Sequence, residues 1–231
     1  MIDMTFDFRS DAGGRDPDAY SPTLRKYHRL LWSKPVPAGG SLVLDKRLIN
    51  QSELGRFEFT SDSIIHSFAH WARYQYIIKE IPAEDIEEFI HIGYSIGGMT
   101  IFPGNKVDRK HSINQARGTS PYIADRIDLT LECIRRYYLD IDSPLYACLC
   151  RYRDFSDLFV DFKGYIDFFM FQDMVSDDYN SIRFLHPFEE FQNYPLPPTV
   201  ADYLTYKDHA IQFVQKRNER IRRWSEENLK C

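Results

Sequence analysis
A mainly helical α+β domain with a small N-terminal and central β component is what the 231-residue sequence predicts. Three observations lead to it. Helix starts are written at Ser21-Pro22, Ser120-Pro121, Ser143-Pro144 and Thr199: the hydroxyl accepts a free backbone N–H, and proline at the first helical position gives up only a donor that would go unpaired. Apolar residues recur at spacings of three and four over most of the chain after residue 62, one face of a helix each time. Strand-like runs are confined to the region before residue 62, to 99–102 and to a short stretch at 182–185. With no repeat, low-complexity stretch or linker, residues 1–231 read as one domain, irregular and partly β over 1–62 and mainly helical over 63–231.

Along the chain, Phe6 and Phe8 alternate with Asp7 and Arg9 as in a short strand. Ser21-Pro22 then starts a helix 23–32 with Leu24, Tyr27 and Leu31 inward, and Pro35 and Pro37 stop it. Segments 42–44 and 57–60 read as two more strands. Ser61 or Asp62 as a cap predicts a helix 63–81 that buries Ile64, Phe68, Trp71 and Ile78. Pro82 opens a helix 83–96, ended by Gly97-Gly98, and a strand 99–102 follows. Ser120-Pro121 starts a helix 121–139 with Ile123, Ile127, Leu131, Ile134 and Tyr138 on one face. A helix 145–152 comes next. The aromatic segment 155–175 keeps helical spacing with a turn at Gly164 and is the expected core. Thr199 caps a last helix reaching about Asn228, whose basic residues Arg217, Arg220, Arg222 and Arg223 suit the helix C-terminus or an acidic partner.

The chemistry concentrates around residues 105–118. From Ile101 to Ser120 the chain carries Lys106, Arg109, Lys110 and Arg117 against Asp108, a formal +3, in a molecule whose net charge is −5. Backbone amides and basic side chains leading into a helix N-terminus suit a phosphate or carboxylate. Lys110 and Arg117 are the candidates to hold the anion, with Asn105 and Asn114 as polar contacts, and Arg117 leads because its planar fork binds an anion through two N–H groups. His111 is the loop's candidate for proton transfer near neutral pH. Asp128 and Glu132 are the candidates to orient a base or a metal, although their spacing with Arg135 fits a salt-bridged helix surface as well. No Gly-rich phosphate-loop spacing is present.

Other classes are narrowed by what the chain lacks. The net charge excludes bulk polyanion binding through overall charge, and 43% hydrophobic content with 17 Phe and 15 Tyr excludes a disordered chain. Cys133, Cys148, Cys150 and Cys231 show neither a disulfide framework nor zinc spacing, so reduced thiols in the cytoplasm are expected. No leader peptide or membrane-spanning run is recognised. His66 and His70, i,i+4 on the predicted 63–81 helix, are half of a metal site without the Glu that would make the motif specific. Asp161-x-Lys163 has a nuclease-like spacing on a helical rather than a strand period.

Tyr27-His-Arg-Leu-Leu-Trp-Ser-Lys-Pro35, Ser112-Ile-Asn-Gln-Ala-Arg-Gly118, Asp128-Leu-Thr-Leu-Glu-Cys-Ile-Arg-Arg-Tyr137 and Phe159-Val-Asp-Phe-Lys-Gly-Tyr165 together resemble a family of bacterial conserved hypothetical proteins. The resemblance implies one folded unit in a bacterial cytosol, and no activity or cofactor. The expectation from the residues is therefore a protein that binds a phosphate-bearing ligand, a nucleotide or a nucleic-acid end, at 105–118; whether it also processes that ligand is open. A non-enzymatic interaction protein, for example of a toxin–antitoxin or phage-defence system, is the alternative, and a metal-dependent hydrolase using His66 and His70 is a weaker one.

Overall fold
Among the described residues, two short strands sit among ten helices. The computed structural model describes residues 2–104 and 112–229. Strand β1 (Glu58–Ser63) pairs antiparallel with β2 (Met99–Gly104), placing Asp62 opposite Thr100 and Thr60 opposite Phe102. The helices are α1 (Pro17–Tyr20), α2 (Pro22–Trp32), α3 (Gln75–Ile78), α4 (Ala83–Gly93), α5 (Ile113–Thr119), α6 (Ile127–Tyr138), α7 (Tyr146–Arg151), α8 (Arg153–Ser156), α9 (Phe162–Phe169) and α10 (Val200–Asn228). One hydrophobic core runs from Ile2 to Ile221, so the α+β, mainly helical expectation is met.

The capped helix starts are realised at both ends of the chain. Ser21 Oγ accepts the Leu24 N–H at 3.0 Å and Pro22 opens α2. Thr199 caps α10, whose 29 residues give a rod about 43 Å long. Aromatic rings fill the interior as expected: Phe159 lies 5.0 Å from Phe155 and 5.1 Å from Phe168, and Trp32 lies 5.3 Å from Phe169. The break in this segment falls at Val160, in the left-handed region at φ 69°, and at Asp161, whose carboxylate caps α9 through the Gly164 N–H at 2.7 Å. Gly164 itself lies inside α9, where an added Cβ would stand 2.1 Å from the Phe159 carbonyl oxygen.

Two predicted helices are corrected. Residues 63–81 are not one helix. Ser63 ends β1, 64–68 has no regular structure, with Phe68 at φ 57°, and only a 3₁₀ turn at Ala72–Tyr74 and α3 are helical. This non-helical stretch is fixed by α10, because Tyr206 and Tyr203 donate their hydroxyls to the carbonyls of His66 (3.1 Å) and Ser67 (2.9 Å), groups a helix would have used internally. The predicted 121–139 helix begins only at Ile127. Ser112 rather than Ser120 is the N-cap here: its Oγ accepts the Gln115 N–H at 3.1 Å, and Ser120 closes α5 by donating its N–H to Ala116 O at 3.1 Å. Ala124 and Asp125 then take left-handed conformations (φ 48° and 63°), which no α-helix accommodates. At the N-terminus Phe8–Asp11 is a 3₁₀ turn capped by Asp7, not a strand, while 42–44 and 182–185 contribute only the isolated bridges Leu44–Asn50 and Val175–Ile182.

The basic end of α10 is mostly committed within the molecule. Arg217 is fully buried and donates to the carbonyls of Gly97 (2.8 Å), Met99 (2.8 Å) and Phe169 (3.0 Å). Arg220 pairs with Asp173 at 3.0 Å and Arg222 with Glu219 at 2.6 Å. No helix among the described residues is long and apolar enough to cross a membrane.

Gly97 lies where α10 meets the turn before β2. A Cβ there would stand 2.6 Å from Val214 O and 2.7 Å from Asn218 Oδ1, the atom that accepts the Gly97 N–H. Gly97→Ala is expected to lower stability by roughly 2 kcal/mol, read as a lower urea midpoint with an unchanged slope.

Candidate active site at the cleft of the two-stranded sheet
A cleft of about 710 Å³ opens over the Thr60 and Asp62 side of β1. Alternation along the strand turns Phe59, Ser61 and Ser63 into the core and leaves Thr60 exposed. Helix α5 forms one wall and α1 with its cap Asp16 another, so that Asp16, Asp18, Asp62, Asn114 and Asp125 share the lining with Arg25 and Arg47. Gly104 and Ser112, which flank 105–111, both line it.

Arg117 underlies this cleft. The sequence suggests it as the anion clamp, but its side chain is fully buried and its donors are engaged. Nη1 contacts Asp62 and lies 2.8 Å from Asp125 Oδ1, Nη2 donates to Asp125 O at 2.9 Å, and Nε donates to Thr130 Oγ1 at 3.2 Å. Burial alone would lower its pKa; Asp125 and Asp62 outweigh that and hold the guanidinium charged. Any anion reaching Arg117 would have to displace two carboxylates, and as it stands Arg117 orients the acids of the cleft.

The acids are perturbed in a consistent direction. Burial pushes Asp62 well above the usual carboxylate range, with Arg117 opposing. Asp18 is pushed up to about 7 by burial and then by Asp16, the Ser63 amide acting the other way. Its buried Oδ1 has no hydrogen-bond partner among the described residues. Asn114 donates Nδ2 to Thr60 Oγ1 at 2.9 Å and to Ser61 O at 3.3 Å. A carbonyl only accepts, so this fixes the amide orientation and leaves Asn114 Oδ1, also buried and unpartnered among the described residues, as an acceptor. Asp18 and Asn114 thus bring two unsatisfied acceptors to one cleft.

Only part of the expected site is assembled. Asn114 lines the cleft and Arg117 supports it from below, whereas Asn105, Lys110 and His111 lie outside the described residues. Asp128 and Glu132 do not line the cleft: both are buried on α6 and engaged in ion pairs. Arg126 donates to Asp128 Oδ1 at 3.1 Å, and the Leu185 N–H to Asp128 Oδ2 at 2.9 Å, tying α6 to the 182–196 loop. Glu132 is held by Arg135 at 2.8 Å and Arg136 at 2.7 Å. The predicted solvated face is therefore partly interior. His66 and His70 share no helix face, and no group of three or more His, Cys, Asp or Glu among the described residues is placed to hold a metal ion. His66 Nε2 instead stands 3.2 Å from Asp125 Oδ2, with burial lowering its pKa.

Asp16 and Asp18 carry no signal in the sequence beyond that of a turn. Another constellation invites a nucleophile reading and fails it. His28 Nε2 lies 2.8 Å from Ser61 Oγ, but Trp32 Nε1 donates to His28 Nδ1 at 3.0 Å. Indole only donates, so Nδ1 is the bare nitrogen and Nε2–H points at the serine, the wrong tautomer for a base. Cys133 and Cys148 are buried thiols, Cys133 pushed up to about 12 by burial, and neither is poised as a nucleophile.

A family of unknown function (DUF6994) matches residues 2–221. The chain belongs to that family. No curated protein and no solved structure matches it. Within this DUF6994 chain, the cleft over β1 is where perturbed acids, unsatisfied acceptors and open volume coincide.

Two outcomes test this geometry. Arg117→Met strands Asp62 and Asp125 beside each other and is expected to cost about 3–5 kcal/mol of stability, read by urea unfolding. Asp18 titrates near 7 when folded against an ordinary 3.8, so its contribution to stability is fully present below pH 3.8 and lost as pH rises through 7. Asp18→Asn removes that loss and should gain on the wild type by on the order of 2 kcal/mol between pH 5 and pH 8. A difference in thermal midpoint that stays constant over that range would contradict the assignment.

Proposed function
We propose that the chain binds a nucleotide-class ligand in the cleft over β1, with Asp18 as its acid–base group. The observation that carries this reading is the pair of buried, unpartnered acceptors, Asp18 Oδ1 and Asn114 Oδ1, lining one cleft. A buried acceptor without a donor costs on the order of 1–3 kcal/mol, so the cleft favours a ligand carrying hydroxyl or amino groups, as a ribose or a base does. Arg25 and Arg47 are among the residues that line it, and the sequence 105–111, which lies outside the described residues, carries Lys106, Arg109 and Lys110 against Asp108. Acceptors and cations in one lining match a molecule with a donor-rich body and a phosphate end. The acids repel that phosphate less than their number suggests, because Arg117 neutralises part of the cluster and Asp18 keeps its proton up to about pH 7. A carboxyl group poised there gives or takes a proton at physiological pH, which is what turnover of the bound ligand requires.

Thermal unfolding against ATP, GTP, NAD and a short 5′-phosphorylated oligonucleotide tests it. At about a hundred times its dissociation constant a ligand adds about 2.7 kcal/mol, several degrees for a chain of this size. The shift should fall by more than half in Asn114→Leu, with folding verified by circular dichroism. No shift with any of the four, or an undiminished shift in Asn114→Leu, would overturn the proposal and leave the interaction-protein alternative in its place.

A further inference from the structure
A second cleft, about 940 Å³, lies where the chain leaving α2 meets α9 and the end of α10. Its walls are mixed, with Leu30, Val36, Phe159, Phe168, Trp224 and Leu229 as the apolar part and Asp161, Lys163, Asp167 and Asn228 as the polar part. Two lysines line it: Lys163, whose amine is paired with Asp167, and Lys34. The Lys34 amine sits among three aromatic rings, 4.5 Å from the centre of Phe168, 5.0 Å from Trp32 and 5.1 Å from Trp224, and donates one hydrogen bond, to Phe168 O at 2.6 Å.

The carboxylates of this cleft are engaged elsewhere. Asp161 caps α9 through the Gly164 N–H, and Asp167 accepts from Lys163, Gln172 (2.9 Å) and Tyr179 (2.8 Å). Lys34 makes no ion pair among the described residues, and the buried charge nearest in effect is another cation, Arg217. Burial first, and Arg217 second, push the Lys34 amine down to about 7. A lysine in an apolar pocket beside a second cation is the arrangement that makes an amine nucleophilic at neutral pH. Nothing in the cleft over β1 uses it.

We propose that this second cleft is a covalent carbonyl site, in which the Lys34 amine forms an imine with a small apolar or aromatic aldehyde or ketone. The Nζ lone pair forms a bond to the carbonyl carbon as the C=O π bond opens onto oxygen. Transfer of a proton from nitrogen to oxygen gives the carbinolamine, and loss of its protonated hydroxyl as water leaves the C=N bond. Amine and carbonyl compound become imine and water, with no oxidant or reductant required. The aromatic walls recognise the body of the ligand, and Phe168 O keeps the amine in place through its N–H. The site stands independently of nucleotide binding over β1.

The full-length protein, treated at pH 7 with benzaldehyde and sodium cyanoborohydride, would carry a benzyl group wherever an imine forms, located by peptide mass spectrometry. The free-base fraction of an ordinary lysine at this pH is smaller by about three orders of magnitude, and after allowing for the weaker nucleophilicity of a less basic amine we expect roughly tenfold or more excess labelling of Lys34 over the exposed Lys46 and Lys79. Labelling of Lys34 should saturate with benzaldehyde while that of Lys46 and Lys79 rises linearly. Its rate should climb through a midpoint near pH 7, set by Lys34 in the field of Arg217, Lys163, Asp161 and Asp167. Lys34→Arg, folded by circular dichroism, should lose the saturable label alone. Labelling of Lys34 no faster than that of the exposed lysines, or without saturation, overturns the proposal.

Discussion
The Arg117 guanidinium is the interaction on which the arrangement around β1 depends. It joins a strand, a turn and a helix at once, through Asp62, Asp125 and Thr130. A charged group this deep is stable only when its N–H donors are satisfied and its charge is met. The chain meets both requirements with a turn that L-residues resist: Ala124 and Asp125 sit at positive φ so that the Asp125 carbonyl and carboxylate both face Arg117. The local strain is offset by a charge-assisted network. The same network reaches the chemistry of the cleft as a correction to burial and Asp16, which hold the proton on Asp18: Asp125 adds to their effect and Arg117 opposes it.

What could be read from the sequence follows from how local the determining interactions are. The starts of α2 and α10 were legible because a cap and a first turn are written in three or four consecutive residues. Strand β2 was legible because a short apolar run after two glycines has few other uses, and it is indeed buried from Met99 to Pro103. The 63–81 helix was misread because its spacing is genuinely helical, while the partners that keep 64–68 out of a helix are tyrosines some 140 positions away on α10. The start of α6 was misread for a related reason: Ser120-Pro121 has the grammar of a helix start, yet Arg117 captures the turn that follows it.

The candidate site divided along the same line. Asn114 was recognised from its position in a polar, basic stretch, and it does line the cleft. Arg117 was recognised as important for the wrong reason, because a sequence shows a guanidinium without showing that two aspartates already occupy it. Asp128 and Glu132 looked surface-exposed since charged residues at i,i+4 usually are, and only the loop 182–196 folding over α6 turns that face inward. Asp18 was invisible, since a carboxylate in Asp-Pro-Asp reads as a turn, and what distinguishes it is proximity to Ser63 and Asp125 across the fold.

A second buried guanidinium, Arg217, shows the opposite solution to the same problem. It meets backbone carbonyls where Arg117 meets carboxylates, three of them at 3.0 Å or closer, and no carboxylate among the described residues pairs with it. Burial accordingly lowers its pKa to about 9, still high enough to remain charged at neutral pH. That uncompensated charge acts on every base in the aromatic interior around Trp32. His28 is driven down to about 3 by burial and Arg217, and so stays neutral and serves as a fixed hydrogen-bonding spacer between Trp32 and Ser61. Lys34, over another part of the same indole, has only one carbonyl acceptor and competes poorly with a guanidinium that has three. Between two cations sharing one apolar environment, the better-bonded one keeps its proton, and the amine that yields is the one lining the open cleft.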